Sequence, residues 1–435
     1  MTAAVRTLAF VSCCVAVAAC GTTVNLNEDL VDYRDEVIEL QGDLLARPQD
    51  LSALGDLGVI YVRTGHAREG KERLLQAYEF GDRNPRSLLY LGFAHEALGE
   101  DQEALALYET YAAVPRLSPY RGLMEGRYTW IVREVARNEM RLRLQEEQDL
   151  ADLEVSPGIV AVFPMAYQGS NPQYEPLGRG LAEMISVDLQ QVSTLRVVER
   201  VRLQALRDEL ALGASGYVDA ATAPRMGRLL QAGRVVSGTY NILDNDLRLD
   251  ASVVESSTAS ISELASQTDN LARFFALEKR IVFDLLTELG VQLTADERAS
   301  IEVVPTQNLQ AFLAFSRGLV AEDAQDYGAA ALLYQQAFQL DPSFSQSSVG
   351  NDRATNSRGN AGPPGNAMSG ARRLDPFRGP QINILDHRSR QLGNGIQASL
   401  LPGADNRKPA TEQAAGASGT FGGLPPPPPP PSGGG

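Results

Sequence analysis

Gly158-Ile159-Val160-Ala161-Val162-Phe163-Pro164 is a short apolar run closed by a glycine and a proline, the pattern of a buried strand. Outward from it the period changes. Pro176 opens a helix that carries Leu177, Leu181, Met184, Ile185, Asp188 and Leu189 at helical spacing and ends near Ser193. Leu195-Arg196-Val197-Val198 predicts a second strand and Glu199–Leu210 a second helix, with Gly213 and Gly216 breaking the chain before a third helix over Ala220–Leu230. Arg234–Ile242 and Leu247–Glu255 predict a hairpin. Its second arm sets Leu247, Leu249, Ala251 and Val253 against Arg248, Asp250 and Ser252, so one face is buried and one is wet. Ser260–Gln267 reads as a third arm and Asn270–Leu289 as a long amphipathic helix. Residues 156–304 thus form a domain of order β-α-β-α-α-β-β-β-α.

Upstream lies a repeat. Leu57-Gly58-Val59-Ile60-Tyr61 returns as Leu91-Gly92-Phe93-Ala94-His95, and both Gly58 to Gly92 and Gly65 to Gly99 span 34 residues. A small residue follows each leading glycine by 12 positions (Gly70, Ala104) and a bulky one by 16 (Leu74, Tyr108). Far downstream, Gly318, Ala330, Tyr334, Ala337 and Pro342 stand at offsets 0, 12, 16, 19 and 24. This spacing resembles the tetratricopeptide repeat, a pair of antiparallel helices whose small positions allow close approach and whose bulky ones fill the angle between them. Two tandem copies are fewer than the roughly three that bury their own faces, so the helical patterns at Glu28–Ala46 and Tyr120–Leu153 are expected to cap them. His66 and His95 read as a loop residue and a packing residue.

The central domain resembles the CsgG family, which includes the curli secretion lipoprotein, holdfast-anchor lipoproteins and, more distantly, LpoB-type activators of peptidoglycan synthases. The stretches that carry the resemblance are Val160-Ala161-Val162-Phe163-Pro164, Tyr174–Leu189 with Leu177-Gly178-Arg179-Gly180-Leu181, and Val197-Val198-Glu199-Arg200. Further matches are the Gly227–Leu230 helix leading into Val236-Ser237-Gly238, and Leu293-Thr294. The resemblance implies an envelope task but does not choose among the several that this domain serves. In the curli channel, long hairpin insertions become a membrane barrel. Here Leu243-Asp244-Asn245-Asp246 and Ser256–Ala259 leave no room for pairs of tilted strands of about 9–11 residues.

The first residues, MTAAVRTLAFVSCCVAVAAC, place Arg6 before an apolar stretch from Leu8 to Ala19, as in a secretory signal peptide. Val17-Ala18-Ala19-Cys20-Gly21 resembles a bacterial lipobox, which implies cleavage between Ala19 and Cys20, acylation of Cys20 (palmitate among the chains), and stable anchoring by two or three acyl chains. Gly21 leans toward the outer membrane. Cys13 and Cys14 would leave with the signal, so the mature chain would hold no disulfide, zinc site or cysteine nucleophile.

Of 435 residues, 43% are hydrophobic and 21% charged, which suffices for two or three globular domains. The net charge of −15 excludes a nucleic-acid footprint. Asp188 and Glu199 read as fold determinants rather than an acid/base pair, and Gly178-Arg179-Gly180 lacks the Lys-Ser/Thr of a phosphate loop. No enzyme, metal or cofactor site is expected. After Phe344 the chain turns to Ser, Asn, Gly, Pro and Arg, ends near seven prolines (Pro425–Pro431), and carries +4 against −20 for residues 20–344. It therefore reads as a disordered arm, a linker or a contact for peptidoglycan, anionic lipid or a Pro-binding partner. Gln381–Leu385 within it would order on binding.

The chain thus reads as an α+β multi-domain protein. Its expected segments are a signal at 1–19; acylated Cys20, repeats and a linker helix over 20–155; a CsgG-like domain at 156–304; a third repeat at 305–344; and a disordered tail at 345–435. The function implied is that of a non-enzymatic, periplasm-facing outer-membrane lipoprotein that binds and organises protein partners in envelope assembly or secretion and is able to form homo-oligomers. The alternatives are a CsgG-type secretion channel subunit and an LpoB-like activator of a peptidoglycan synthase.

Overall fold

A computed structural model describes residues 28–145, 155–210, 222–264, 266–362 and 364–375. The signal peptide, Cys20, the Gly213–Gly216 break, Gln381–Leu385 and the proline run lie outside the described residues. The N-terminal part is a series of helices: α1 (Arg34–Ala46), α2 (Leu51–Arg63), α3 (Ala67–Glu79), α4 (Pro85–Ala97), α5 (Asp101–Glu109) and the long α6 (Pro119–Gln145). Asp50 caps α2 by accepting from the amides of Ser52 and Ala53, and Asn84 with Pro85 starts α4. Gly65 and Gly99 take positive φ in the turns inside the first two hairpins.

The central domain is a mixed sheet of order β3-β1-β4-β5-β6, with β1 at Ser156–Val162, β3 at Arg196–Val197, β4 at Ala232–Leu243, β5 at Asp246–Glu255 and β6 at Ile261–Glu263. Short β2 (Ala166–Tyr167) adds to β4 and β7 (Gln267–Asn270) to β5. β1 runs parallel to both β3 and β4, and the β4–β5 hairpin turns through Asp244 and Asn245, both at positive φ. The third arm extends past its expected end at Gln267. Its partners change from Ser252↔Glu263 to Leu249↔Gln267, a one-residue slip that marks a bulge and splits the arm into β6 and β7. The following helix accordingly begins at Phe274 rather than Asn270, and Asn270 instead caps a single 3-10 turn.

Helices cover both faces of the sheet. On one face, Val160, Val236, Leu247 and Leu249 pack with α7 (Leu177–Leu189), α10 (Phe274–Glu288) and α12 (Leu309–Asp323). On the other, Ala161, Phe163 and Val235 meet α8 (Arg200–Glu209), α9 (Ala223–Leu229) and Ala136 and Met140 of α6. The 27 residues of α6 span about 40 Å, so its first half joins the N-terminal repeat core through Met124 and Ile131 while its second half roofs the sheet.

The tail expected from residue 345 does not begin there. After α11 (Ala295–Ile301), α12 and α13 (Tyr327–Leu340), the chain forms α14 (Ser345–Ser357) and α15 (Pro364–Leu374). The buried face of α14 is Ser347, Gly350, Ala354 and Ser357, small residues at helical spacing that lie against α13 and α6. Composition hides this face, because close approach of backbones rather than apolar bulk holds the helix. The third hairpin is thereby joined to the first two: the helices stack in space as α1 to α6, then α14, α13, α12 and α7.

Candidate binding surfaces around the helical array

The predicted packing positions meet in pairs. A Cβ at Gly58 would lie 2.5 Å from Leu74, at Gly92 2.4 Å from the Tyr108 ring, and at Gly318 2.6 Å from the Tyr334 ring, so each bulky residue fills the space left by its own glycine. Gly70 abuts Val62, Ala104 and Ala330 are fully buried, and Pro342 stands just past the end of α13. His66 Nδ1 lies 3.1 Å from the Thr64 hydroxyl, and His95 is buried with its Nδ1 2.6 Å from the Glu100 carboxylate.

Sequence reading missed a polar device in the same phase. Glu96 and Glu322 stand four residues after Gly92 and Gly318, and Arg127 and Arg353 stand 35 after them. The Tyr108 hydroxyl donates to Glu96 at 2.5 Å and the Tyr334 hydroxyl to Glu322 at 2.6 Å. Arg127 Nε donates to Glu96, and Arg353 donates to both oxygens of Glu322. Burial works against the Glu322 charge, but Arg200 and Arg353 outweigh it and hold the carboxyl well below the usual range. Burial and then that charge push the Tyr334 phenol far up.

Glu322 and its neighbour Asp323 end α12, and five helices converge there. Arg179 of α7 donates to Asp323 at 2.8 Å, Arg200 at the start of α8 pairs with both acids, and Arg133 of α6 donates to the backbone carbonyls of both. The guanidinium at the helix C-terminus satisfies carbonyls that the helix itself leaves open. Gly178 and Gly180 are required by contact: a Cβ would fall 2.0 Å from the Met165 carbonyl oxygen and 2.0 Å from the Ser316 hydroxyl. They let α7 lie against β1 and α12, which accounts for the Gly-Arg-Gly motif without a phosphate. Asp188, read as a fold determinant, is buried on α7 and takes a 2.7 Å bond from Lys279 of α10.

Beside this junction is a cleft of about 840 Å3, lined by Tyr167, Glu175, Arg179, Gln204, Arg207 and Asp323 among others. It opens beyond the carboxyl end of β1, where one connection leaves toward β3 and β4 lies on the other side, a position where open α/β sheets bind ligands. Burial lowers the pKa of the Arg207 guanidinium there despite nearby Asp323.

A second surface is formed by α2, α4 and α6, the first helices of successive hairpins. It is covered by the chain's own α15. Ala367 and Ala371 are fully buried in the repeat core, and the Asp375 carboxylate that follows lies 2.8 Å from Arg86 and 3.2 Å from Arg63.

The fold is thus a CsgG-like α/β layer set into an array of helical hairpins. Compared with known families, residues 160–252 match the model of CsgG, the curli production assembly/transport component. No curated protein matches the chain. The matched interval runs from β1 into β5 and contains Arg179 and Arg200, whose guanidinium groups pair with acids at the end of α12. Among the described residues, no helix is long and apolar enough to cross a membrane.

Proposed function

We propose that the chain is a non-enzymatic lipoprotein, anchored through Cys20 in the outer membrane and facing the periplasm, that organises protein partners in envelope assembly or secretion. The observation that carries this reading is the Glu322–Asp323 junction, which fixes the CsgG-like layer to an array of hairpins with tetratricopeptide spacing. A body that displays stacked helices on a rigid base suits peptide or helix capture. Acyl chains on Cys20 would hold that body at the membrane.

The test has two parts. Cys20→Ala should move the mature protein from the membrane pellet to the soluble periplasm, and crosslinking in native membranes should recover partners through the hairpins. A Cys20→Ala protein that still pellets and resists salt extraction defeats the anchor. The match to a transport component supports a second reading, a secretion-channel subunit. Against it stands the two-residue Asp244–Asn245 turn, which supplies no barrel strands. Stable conductance by the full-length protein in a planar bilayer, abolished by substitutions in residues 156–304, would establish the channel instead.

A further inference from the structure

The surface of α2, α4 and α6 holds a ligand, and the ligand is part of the same chain. Arg127 donates to the carbonyls of Asn360 and Gly362, which fixes the point from which α15 departs. From there α15 runs across α6 and α4 to the C-terminal end of α2, where Arg372 donates to the Arg63 carbonyl at 2.8 Å and the Tyr120 hydroxyl to the Leu374 carbonyl at 3.3 Å. Asp375 closes the contact between Arg63 and Arg86, each of which also has a second acid, Glu28 and Asp56.

The occupant is weakly built. Its fully buried apolar side chains are two alanines, and its 11 residues include Gly365 and Gly370, which oppose helix formation. A helix of this length is marginal alone, so the groove itself imposes its form. The most specific element is the carboxylate shared by two guanidinium groups.

We propose that this groove is a helix-binding site held closed in cis by α15, and that its partner in trans is a short helix of another protein. That helix presents small residues at i and i+4 and an aspartate just beyond its last turn, as Ala367, Ala371 and Asp375 do here. The inference rests on the adaptor reading above, but it is tested separately.

The probe is a fluorescent peptide of residues 363–376, titrated by anisotropy against the full mature chain. Ala367→Glu/Ala371→Glu, which alters the occupant and leaves the groove intact, should bind the peptide at least tenfold more tightly than wild type. A peptide carrying Asp375→Asn should bind at least tenfold more weakly. Equal, weak binding by wild type and a folded double variant overturns the proposal. Should the double variant not fold, Asp375→Asn in the full chain should speed amide exchange across 364–375 while leaving α2 and α4 unchanged, and unchanged exchange in 364–375 overturns it. A wild-type dimer that excess peptide dissolves would make the occupant a second copy and also overturn it. Peptide binding as expected, with no partner crosslinked in native membranes by wild type or opened variant, refutes the adaptor reading while the groove stands.

Discussion

From Gly92 to Arg127, and again from Gly318 to Arg353, glycine, glutamate, tyrosine and arginine occur at the same offsets and make the same contacts. The hairpins differ in what their arginines and acids reach next. Arg127 extends to the carbonyls that lead into α15, whereas Glu322 also takes Arg200 from the α/β layer. One repeated device therefore fastens the cover of a groove in one place and joins two layers in the other. In the first hairpin, Val62, Leu74 and Phe93 stand at those positions, and the contact is apolar.

The largest expected effects separate these two uses. Glu96→Ala leaves Arg127 fully buried without its carboxylate, at a cost of about 3–5 kcal/mol. Glu322→Ala should cost less, toward the lower end of that range, because Arg200 and Arg353 remain about a quarter to a third exposed and can reach water. Chemical denaturation checks the order. The site of damage should differ too. Hydrogen exchange should rise in α15 for Glu96→Ala and where α8 and α14 meet the end of α12 for Glu322→Ala, and a common pattern would mean the two junctions are not independent.

Much of this was legible in the sequence, and what was not has identifiable causes. Alternation along β5 and the glycine-to-bulky spacing of 16 lead directly to contacts that exist. The glutamate and arginine of the device stood in the same phase, legible to a comparison of charged as well as apolar positions. The Arg200–Glu322 contact, between residues more than a hundred positions apart, has no local signal. α14 and α15 were hidden because their buried faces are serine, glycine and alanine, residues that composition assigns to loops. Tertiary packing overrode propensity there.

Smaller effects come from the glycines. Gly92→Leu should cost about 1–3 kcal/mol by pushing Tyr108 from its place, and would also loosen its bond to Glu96. Gly58→Leu displaces the Leu74 side chain first, which carries no such polar bond, so its cost should fall lower in that range. Thermal melts in which Gly58→Leu lowers the midpoint as much as or more than Gly92→Leu would mean that the polar device adds nothing to hairpin packing.

Acid and base distinguish the junction from the α/β core. Glu322, held down by its arginines, contributes stability that is present above the ordinary carboxyl range and is lost only as pH falls below it toward the depressed folded value. Glu278 on α10 is the opposite case. Burial and then the charge of Asp188 push its pKa well above 4.5, and Lys279 is 3.7 Å away. The folded chain keeps that proton after the unfolded chain has released it, so stability falls as pH rises from about 4.5 toward the folded value. Glu278→Gln should therefore raise stability at pH 8 more than at pH 5 and flatten this limb of the profile. Denaturation midpoints between pH 5 and 8 that are parallel in variant and wild type would exclude it.

The smallest effect lies in the turns of the two matched hairpins. Seven residues after its leading glycine, the second hairpin has Gly99 at φ +75° and the third has Gln325 at φ +62°. The left-handed backbone costs a residue with a Cβ about 1–2 kcal/mol. Nothing lies within 4 Å of a Cβ at Gly99, so Gly99→Ala should lose about 1 kcal/mol through the backbone alone. Gln325→Gly relieves the same strain, but it also removes an amide placed to accept from Arg137 at 2.8 Å and Arg133 at 3.3 Å. A neutral hydrogen-bonding group facing two arginines that have other acceptors should contribute less than the strain, so Gln325→Gly should gain stability by less than about 1 kcal/mol. If denaturation shows Gln325→Gly to be less stable than wild type, the amide is the stronger term. The turn of the third hairpin would then belong to the junction with α6 rather than to the repeat.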